Sequence, residues 1–438
     1  MPTPFMNRPV LSLAVVAVLG STAAAQAPGI DPEDAIAPIA VVEGAGVKVG
    51  DGTVLHPSIG LEAGVVTNVF YTDQNTVAAG VVRLIGEVGA GSLSPQRLAP
   101  TEQTSMDISQ PTSAGDFQYR TDLRLSYEYL PSTDDQVSSQ GGLGAGFNFR
   151  GIINPQRSRQ FAVVEDYQRL IRPTNFDSSG NTNRDINDLK LQFQYAPLGR
   201  NLSGIIHYED IVDVFEANTQ QFANRFQNTI GLRINYQWLP QTRVYVDATE
   251  GIDTGLGDSE KVTSYPLLTV LGLQTLLSPA VAVTGRVGYT NGFYSEGPSY
   301  SSIVGGLSAA YWYSPISHLA VLYQYLHNDS INANFYRDHQ IQASLEHAFT
   351  PFDVIVQGTL SFREYQGLII STGPQVRDDT LGSILGEVRY NFRDWIAASV
   401  SYNLLVDQTD YTYMAGVGVM LNPSYVRQEL FAGVRVAY

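Results

Sequence analysis

The sequence predicts an all-β protein: a transmembrane, up-and-down antiparallel β-barrel of about eighteen strands. Three observations carry that prediction. Six prolines, Pro155, Pro197, Pro240, Pro279, Pro315 and Pro351, recur at gaps of 42, 43, 39, 36 and 36 residues (differences of their numbers), each in a tight connection. Between them, apolar and polar residues alternate at the period of a strand, over runs that match the ~9–11 residues a tilted strand needs to cross a bilayer. Short turns and long polar loops also alternate along the chain, the asymmetry of bacterial outer-membrane barrels.

The clearest strand is Phe117 to Tyr129. Phe117, Tyr119, Leu123, Leu125, Tyr127 and Tyr129 share one face; Gln118, Arg120, Asp122, Arg124, Ser126 and Glu128 share the other. Ile230, Leu232, Ile234, Tyr236 and Trp238 likewise oppose Gly231, Arg233, Asn235 and Gln237. Gly386, Val388, Tyr390 and Phe392 oppose Glu387, Arg389, Asn391 and Arg393. In the closing strand Leu430, Ala432, Val434, Val436 and Tyr438 stand against Arg427, Glu429, Gly433 and Arg435. Seven tight turns, near 150–157, 196–201, 238–242, 277–280, 313–317, 349–352 and 392–395, imply fourteen strands between about 140 and 407. Phe117–Tyr129, an opening hairpin at 55–70 and 77–90, and a closing strand at 425–438 complete the count. Tyr411–Leu421 reads either as a loop hairpin or as a strand, and residues 91–115 form a Ser/Thr/Pro/Gln-rich segment on the short-turn side.

Two other folds alternate in this way, a soluble antiparallel sheet and a β-propeller. A propeller packs four short strands into each period of this length, whereas here each period holds two long ones. A sandwich has no need of aromatic residues at its strand ends. Trp238, Trp312 and Trp395 all lie beside tight turns. They are therefore expected to form a girdle at the periplasmic lipid boundary.

The bulk properties agree. Cysteine is absent, so disulfides, thiolate metal sites and cysteine nucleophiles are excluded. Mean hydropathy is −0.06, and the sequence isoelectric point near 4.7 argues against nucleic acid as a partner. Residues 1–25 read as a signal peptide: Arg8, then an apolar core from Val10 to Gly20, then Ala23-Ala24-Ala25. Residues 26–54 read as a flexible periplasmic segment and 55–438 as the barrel.

The chain ends Phe431-Ala-Gly-Val-Arg-Val-Ala-Tyr438, alternation closed by a terminal aromatic. This resembles the assembly signal of outer-membrane barrels and implies the barrel assembly machinery as a partner, beside the outer-membrane lipid. The opening strand His56-Pro-Ser-Ile-Gly-Leu-Glu-Ala-Gly-Val-Val-Thr-Asn-Val-Phe70, with Arg172-Pro-Thr-Asn and Tyr425-Val-Arg-Gln, resembles the β-barrel porin 2 type of bacterial outer-membrane protein in layout over about 55–438. The resemblance extends to barrels that accompany polysaccharide export. It implies a pore for hydrophilic solutes or a polysaccharide conduit with periplasmic export partners, and it transfers no catalytic residues.

No constellation for chemistry emerges, and the protein reads as a non-enzyme without cofactor or metal. Ser344 and His347 differ by an odd number, as do His339 and Ser344, so neither pair shares a strand face. His56, His207, His318 and His327 read as interfacial or lumen side chains. The acidic loops, Asp134-Asp135, Asp253, Asp258, Glu260, Asp378-Asp379, Asp407 and Asp410, match no calcium-loop spacing. The functional candidates are the inward faces. Arg120, Arg124, Arg233, Arg286, Arg363, Arg389, Arg393, Arg427 and Arg435 are expected to line the lumen with Asp122, Glu128, Asp247, Glu346, Glu387 and Glu429. A barrel of this width cannot be filled by side chains, so a polar channel is expected. The competing expectation is a closed structural barrel whose acidic loops bind a partner.

Overall fold

The computed structural model describes residues 46–49, 52–92, 116–155, 157–171, 183–197, 199–314, 317–369, 376–414 and 420–438. Its strands are β1 (Val47–Val49), β2 (Thr53–Val66), β3 (Ala79–Gly91), β4 (Phe117–Tyr129), β5 (Gly142–Ile153), β6 (Arg159–Leu170), β7 (Arg184–Tyr195), β8 (Leu202–Phe215), β9 (Arg225–Leu239), β10 (Thr242–Gly255) and β11 (Leu267–Ser278). There follow β12 (Val281–Asn291), β13 (Ser301–Ser314), β14 (Ser317–Asp329), β15 (Phe335–Phe349), β16 (Phe352–Gln366), β17 (Val376–Arg393), β18 (Ile396–Thr409), β19 (Tyr413–Met414), β20 (Met420–Leu421) and β21 (Tyr425–Ala437).

Each barrel strand pairs antiparallel with the next in sequence, and β21 closes the ring on both β18 and β2, Ala432 facing Val400 on one side and Ala63 on the other. The sheet has nineteen strands; without the short β1, eighteen form the closed barrel (19 − 1). Closure leaves no long unpaired edge. β1 extends β2 below the end of β21, with Val47 opposite Leu55. Within the segment 26–54, Val47–Val49 is paired in this way. The stretch after β18 that reads either as a loop hairpin or as a strand forms a two-stranded hairpin, β19 with β20, in a sheet separate from the barrel.

The strand period sorts side chains into two walls. Leu61, Leu84, Ile230 and Leu430 are half exposed or more on the outside, while Glu62, Arg83, Asp247 and Arg427 face inward and are buried. A closed ladder with an apolar outer wall satisfies every backbone group inside a bilayer, and the chain is accordingly a bacterial outer-membrane barrel. The short turns share one rim with the start of β2 and the end of β21. Pro197, Pro240, Pro279 and Pro351 sit in those turns, where a missing N–H costs no ladder bond. Pro315, residues 93–115 and the signal-like N-terminus lie outside the described residues.

Two expectations need correction. The opening strand stops at Val66, not Phe70. Asn68 turns the chain: its Oδ1 accepts from the Thr72 amide and its Nδ2 donates to the Thr72 carbonyl. The loop then tucks Val69 against Val66, Val81, Leu130, Val137 and Phe431. The second correction is Trp312. In β13 the odd positions Ile303, Leu307, Tyr311 and Tyr313 are exposed, so Trp312 points inward. Its ring stacks on His318, 5.5 Å between centroids. Tyr311 and Tyr313 take the outward positions beside the β13–β14 connection, because strand parity decides the face. Trp238 is 62% exposed and Trp395 51%. In variants that each keep one tryptophan, brominated-acyl lipid should quench Trp238 strongly and Trp312 weakly; equal quenching would overturn the inward placement of Trp312.

Candidate functional site

The lumen wall is a lattice of ion pairs set by strand register. Residues directly opposite on paired strands come within side-chain reach, and inward positions repeatedly place an arginine across from a carboxylate. Arg83 lies between Glu62 and Glu128, its cross-strand partners on β2 and β4, at 3.1 and 2.6 Å. Arg435 reaches the other oxygen of Glu62 at 3.2 Å, and Arg427 pairs with Glu429 two residues along the same strand. Arg120 pairs with Asp122 at 2.9 Å. Arg124 lies on the same β4 face as Glu128.

Across the barrel, Arg233 holds Asp247 through two bonds of 2.5 and 2.9 Å, and His207 Nε2 lies 3.1 Å from the other Asp247 oxygen. Arg363 pairs with Asp338 at 3.0 Å and Arg389 with Asp353 at 2.7 Å. Glu346 meets His318 at 3.4 Å near the short-turn end. Glu387 lies on the inward face of β17, and Arg393 is exposed at its C-terminal end. Arg286 projects from β12 and donates to Gln324 at 3.2 Å. Paired charges in a wall of this kind specify geometry more than they stabilise it.

The histidines spread over both walls. Ser344 lies on the inward face of β15 and His347 on the outward face, where His347 Nδ1 meets the Tyr313 hydroxyl at 2.9 Å. His339 also faces outward and stacks on Tyr325. In the loops Asp134 caps a single helical turn by accepting from the Gln136 amide at 2.8 Å.

Alternation gave no warning of the mouth. The β14–β15 connection, 330–334, folds inward and docks across the lumen. Asp329 pairs with Arg225 of β9 at 3.1 Å and with Lys261 of the β10–β11 loop at 3.0 Å. Lys261 also donates to the Ser330 and Ala333 carbonyls. Ile331 packs on Phe215 and Ala223, and the Asn334 amide donates to the Gln366 and Gly367 carbonyls. Burial pulls the Lys261 ammonium below its usual range against the pull of Asp329, and it drives the Tyr294 phenol well above its own. Arg225 meanwhile shares Asp213 with Arg184. The only sequence sign of this cap was apolar residues, Ile331 and Ala333, in an otherwise polar loop.

No protein-family model and no curated protein matches the chain. Among solved structures it is similar to OccAB4 of Acinetobacter baumannii, at 13% identity and a TM-score of 0.43, covering 88% of this chain and 98% of that one. It is also similar to Pseudomonas aeruginosa OccK1 (OpdK), at 9% identity and a TM-score of 0.44, covering 88% and 99%. A third similar structure is Pseudomonas aeruginosa OccK2 (OpdF) in complex with glucuronate, at 10% identity and a TM-score of 0.43, covering 87% and 98%.

Proposed function

We propose that the protein is an outer-membrane pore for small hydrophilic solutes. The single observation that carries this reading is the lumen wall: guanidinium and carboxylate groups face inward on strands all around the ring. A barrel built only as a scaffold gains nothing from desolvating so many charges unless water reaches them. The docked loop 330–334 crosses the mouth and narrows it, which favours small solutes over a polysaccharide chain.

The same loop also favours a second reading, a barrel closed at its mouth whose acidic loops bind a partner. Planar-bilayer recording of refolded protein separates the two. A small, steady conductance in the wild type is expected of the pore. Absence of conductance in the wild type and in a variant with the mouth contact removed would sink it and leave the closed barrel.

A further inference from the structure

The β13–β14 ladder ends early. Its last pair is Gly305 with Tyr325, yet β13 continues to pair with β12 as far as Ser301, and β14 continues to pair with β15 as far as Asp329. Ser301–Val304 and Leu326–Asp329 therefore diverge, because Asp329 is drawn inward to Arg225 and Lys261. Had the ladder run on in register, Val304 would face Leu326 and Ile303 would face His327. An unpaired strand edge in the wall of a membrane barrel needs cover. Side chains supply it here. The Tyr300 ring stacks on His327, 4.6 Å between centroids, and Tyr325 meets His327 edge-on at 5.4 Å. Tyr325 stacks in turn on the outward His339 at 4.3 Å. A row of rings thus crosses the wall where backbone pairing is missing. Ile303, outward beside the gap, is 70% exposed, so the outer end of the row opens on the apolar wall.

The inner wall leading to the gap is neutral. Arg286, Gly306, Gln324 and Gln340 are consecutive neighbours across four strands. Arg286 is turned along this row to Gln324, which is bonded to Gln340. The row lies one residue to the short-turn side of the last β13–β14 pair and forms the polar edge of the gap. Beyond it Leu268, Val270, Thr290 and Val304 line a pocket that runs to Gly305 and Tyr325. Its empty volume, including the space open to the lumen, is about 680 Å³, the size of a small-molecule site. Gly305 and Tyr325 belong to the outward rows of their strands, so the pocket reaches into the wall itself. None of the described side chains that line it carries a negative charge. In a lumen otherwise walled with ion pairs, this stretch favours an uncharged apolar molecule.

We propose that the gap between β13 and β14 is a lateral exit, through which neutral apolar small molecules, aromatic ones above all, pass from the lumen into the surrounding lipid. Opening it needs rotation of the Tyr300 and His327 rings and breaks no ladder bond; side-chain rotation is far faster than strand separation. The inference goes beyond the pore reading and takes from it only a lumen open to solute. The chain has no cysteine, so single introduced thiols report without background. Val304→Cys puts a thiol on the inward face at the gap. Ser308→Cys puts one on the same face of β13, behind intact pairing with Leu322. In proteoliposomes, a maleimide carried on a phospholipid acyl chain is expected to label Val304→Cys about tenfold faster than Ser308→Cys, each rate taken relative to labelling by a water-soluble methanethiosulfonate. Adding Tyr300→Ala should speed the labelling of Val304→Cys further. In cells carrying the protein, entry of N-phenylnaphthylamine, a neutral aromatic that fluoresces in lipid, should rise with Tyr300→Ala and fall with Val304→Trp. Heat-modifiable gel mobility checks that each variant is folded. Equal labelling of the two thiols from the lipid, or dye entry unmoved by both variants in a conducting protein, overturns the proposal. A wild type without conductance refutes the pore reading, whereas the labelling contrast stands or falls apart from it.

Discussion

Replacing Lys261 with methionine is expected to open the mouth and raise single-channel conductance. The Lys261 ammonium ties the inward loop at three points, the Asp329 carboxylate and the carbonyls of Ser330 and Ala333. Methionine keeps most of the buried stem but none of the donors. Asp329 would keep only Arg225, and two buried carbonyls would need water. Leaving buried partners of a charged group unsatisfied costs about 3–5 kcal/mol. Undocking relieves that cost, because water then reaches the carbonyls, at the expense of the Ile331 contact with Phe215 and Ala223. The ladders of β14 and β15 do not involve Lys261, so thermal stability of the barrel should change little. Lys261→Arg, which restores charge and donors, should stay near wild type. Unchanged conductance in Lys261→Met would show that the loop does not limit passage.

Much of the wall was legible in the sequence, because the strand period fixes which side chains share a face. The tight turns also fix register. In β9–β10 the pair Gln237–Arg243 beside Pro240 places Arg233 opposite Asp247 by simple counting. Phe349 opposite Phe352 places Asp338 opposite Arg363 in the same way. Pairs across long loops, such as Asp353 with Arg389, could not be counted, because loop length does not determine register. The mouth was hidden for a related reason. Loop 330–334 is held by Arg225 and Lys261, which are far from it in sequence and lie on other strands and loops. Trp312 shows the limit of reading by position: closeness to a turn places a residue at a rim, and only strand parity turns it inward. The pocket beside Arg286 depends on where a ladder stops, which no local pattern encodes.

Arg83→Met should be the most damaging single change in the wall, with a loss of about 3–5 kcal/mol in stability, the cost of breaking a buried pair from one side. Arg83 is one-twentieth exposed and sits between two carboxylates, Glu62 and Glu128, with its guanidinium also 4.6 Å above the Phe431 ring. Those partners come from β2, β4 and β21, the strands at and beside the seam where the chain closes on itself. Methionine fills the space but takes the Arg83 guanidinium away from Glu128, and Glu62 keeps Arg435. Two partly compensated carboxylates would then face each other across β3, and relief would come most easily by loosening the β2–β21 contact. The ladders between β5 and β17 have ion pairs of their own and should hold. Urea unfolding followed by gel mobility should therefore show a lowered midpoint. Double replacement with Glu128→Gln should recover part of the loss by removing one of the two carboxylates that flanked the guanidinium, whereas an independent site would simply add a second penalty. A midpoint for Arg83→Met equal to wild type would mean that hydration of the lumen already screens this cluster and that the seam is held by its backbone ladder alone.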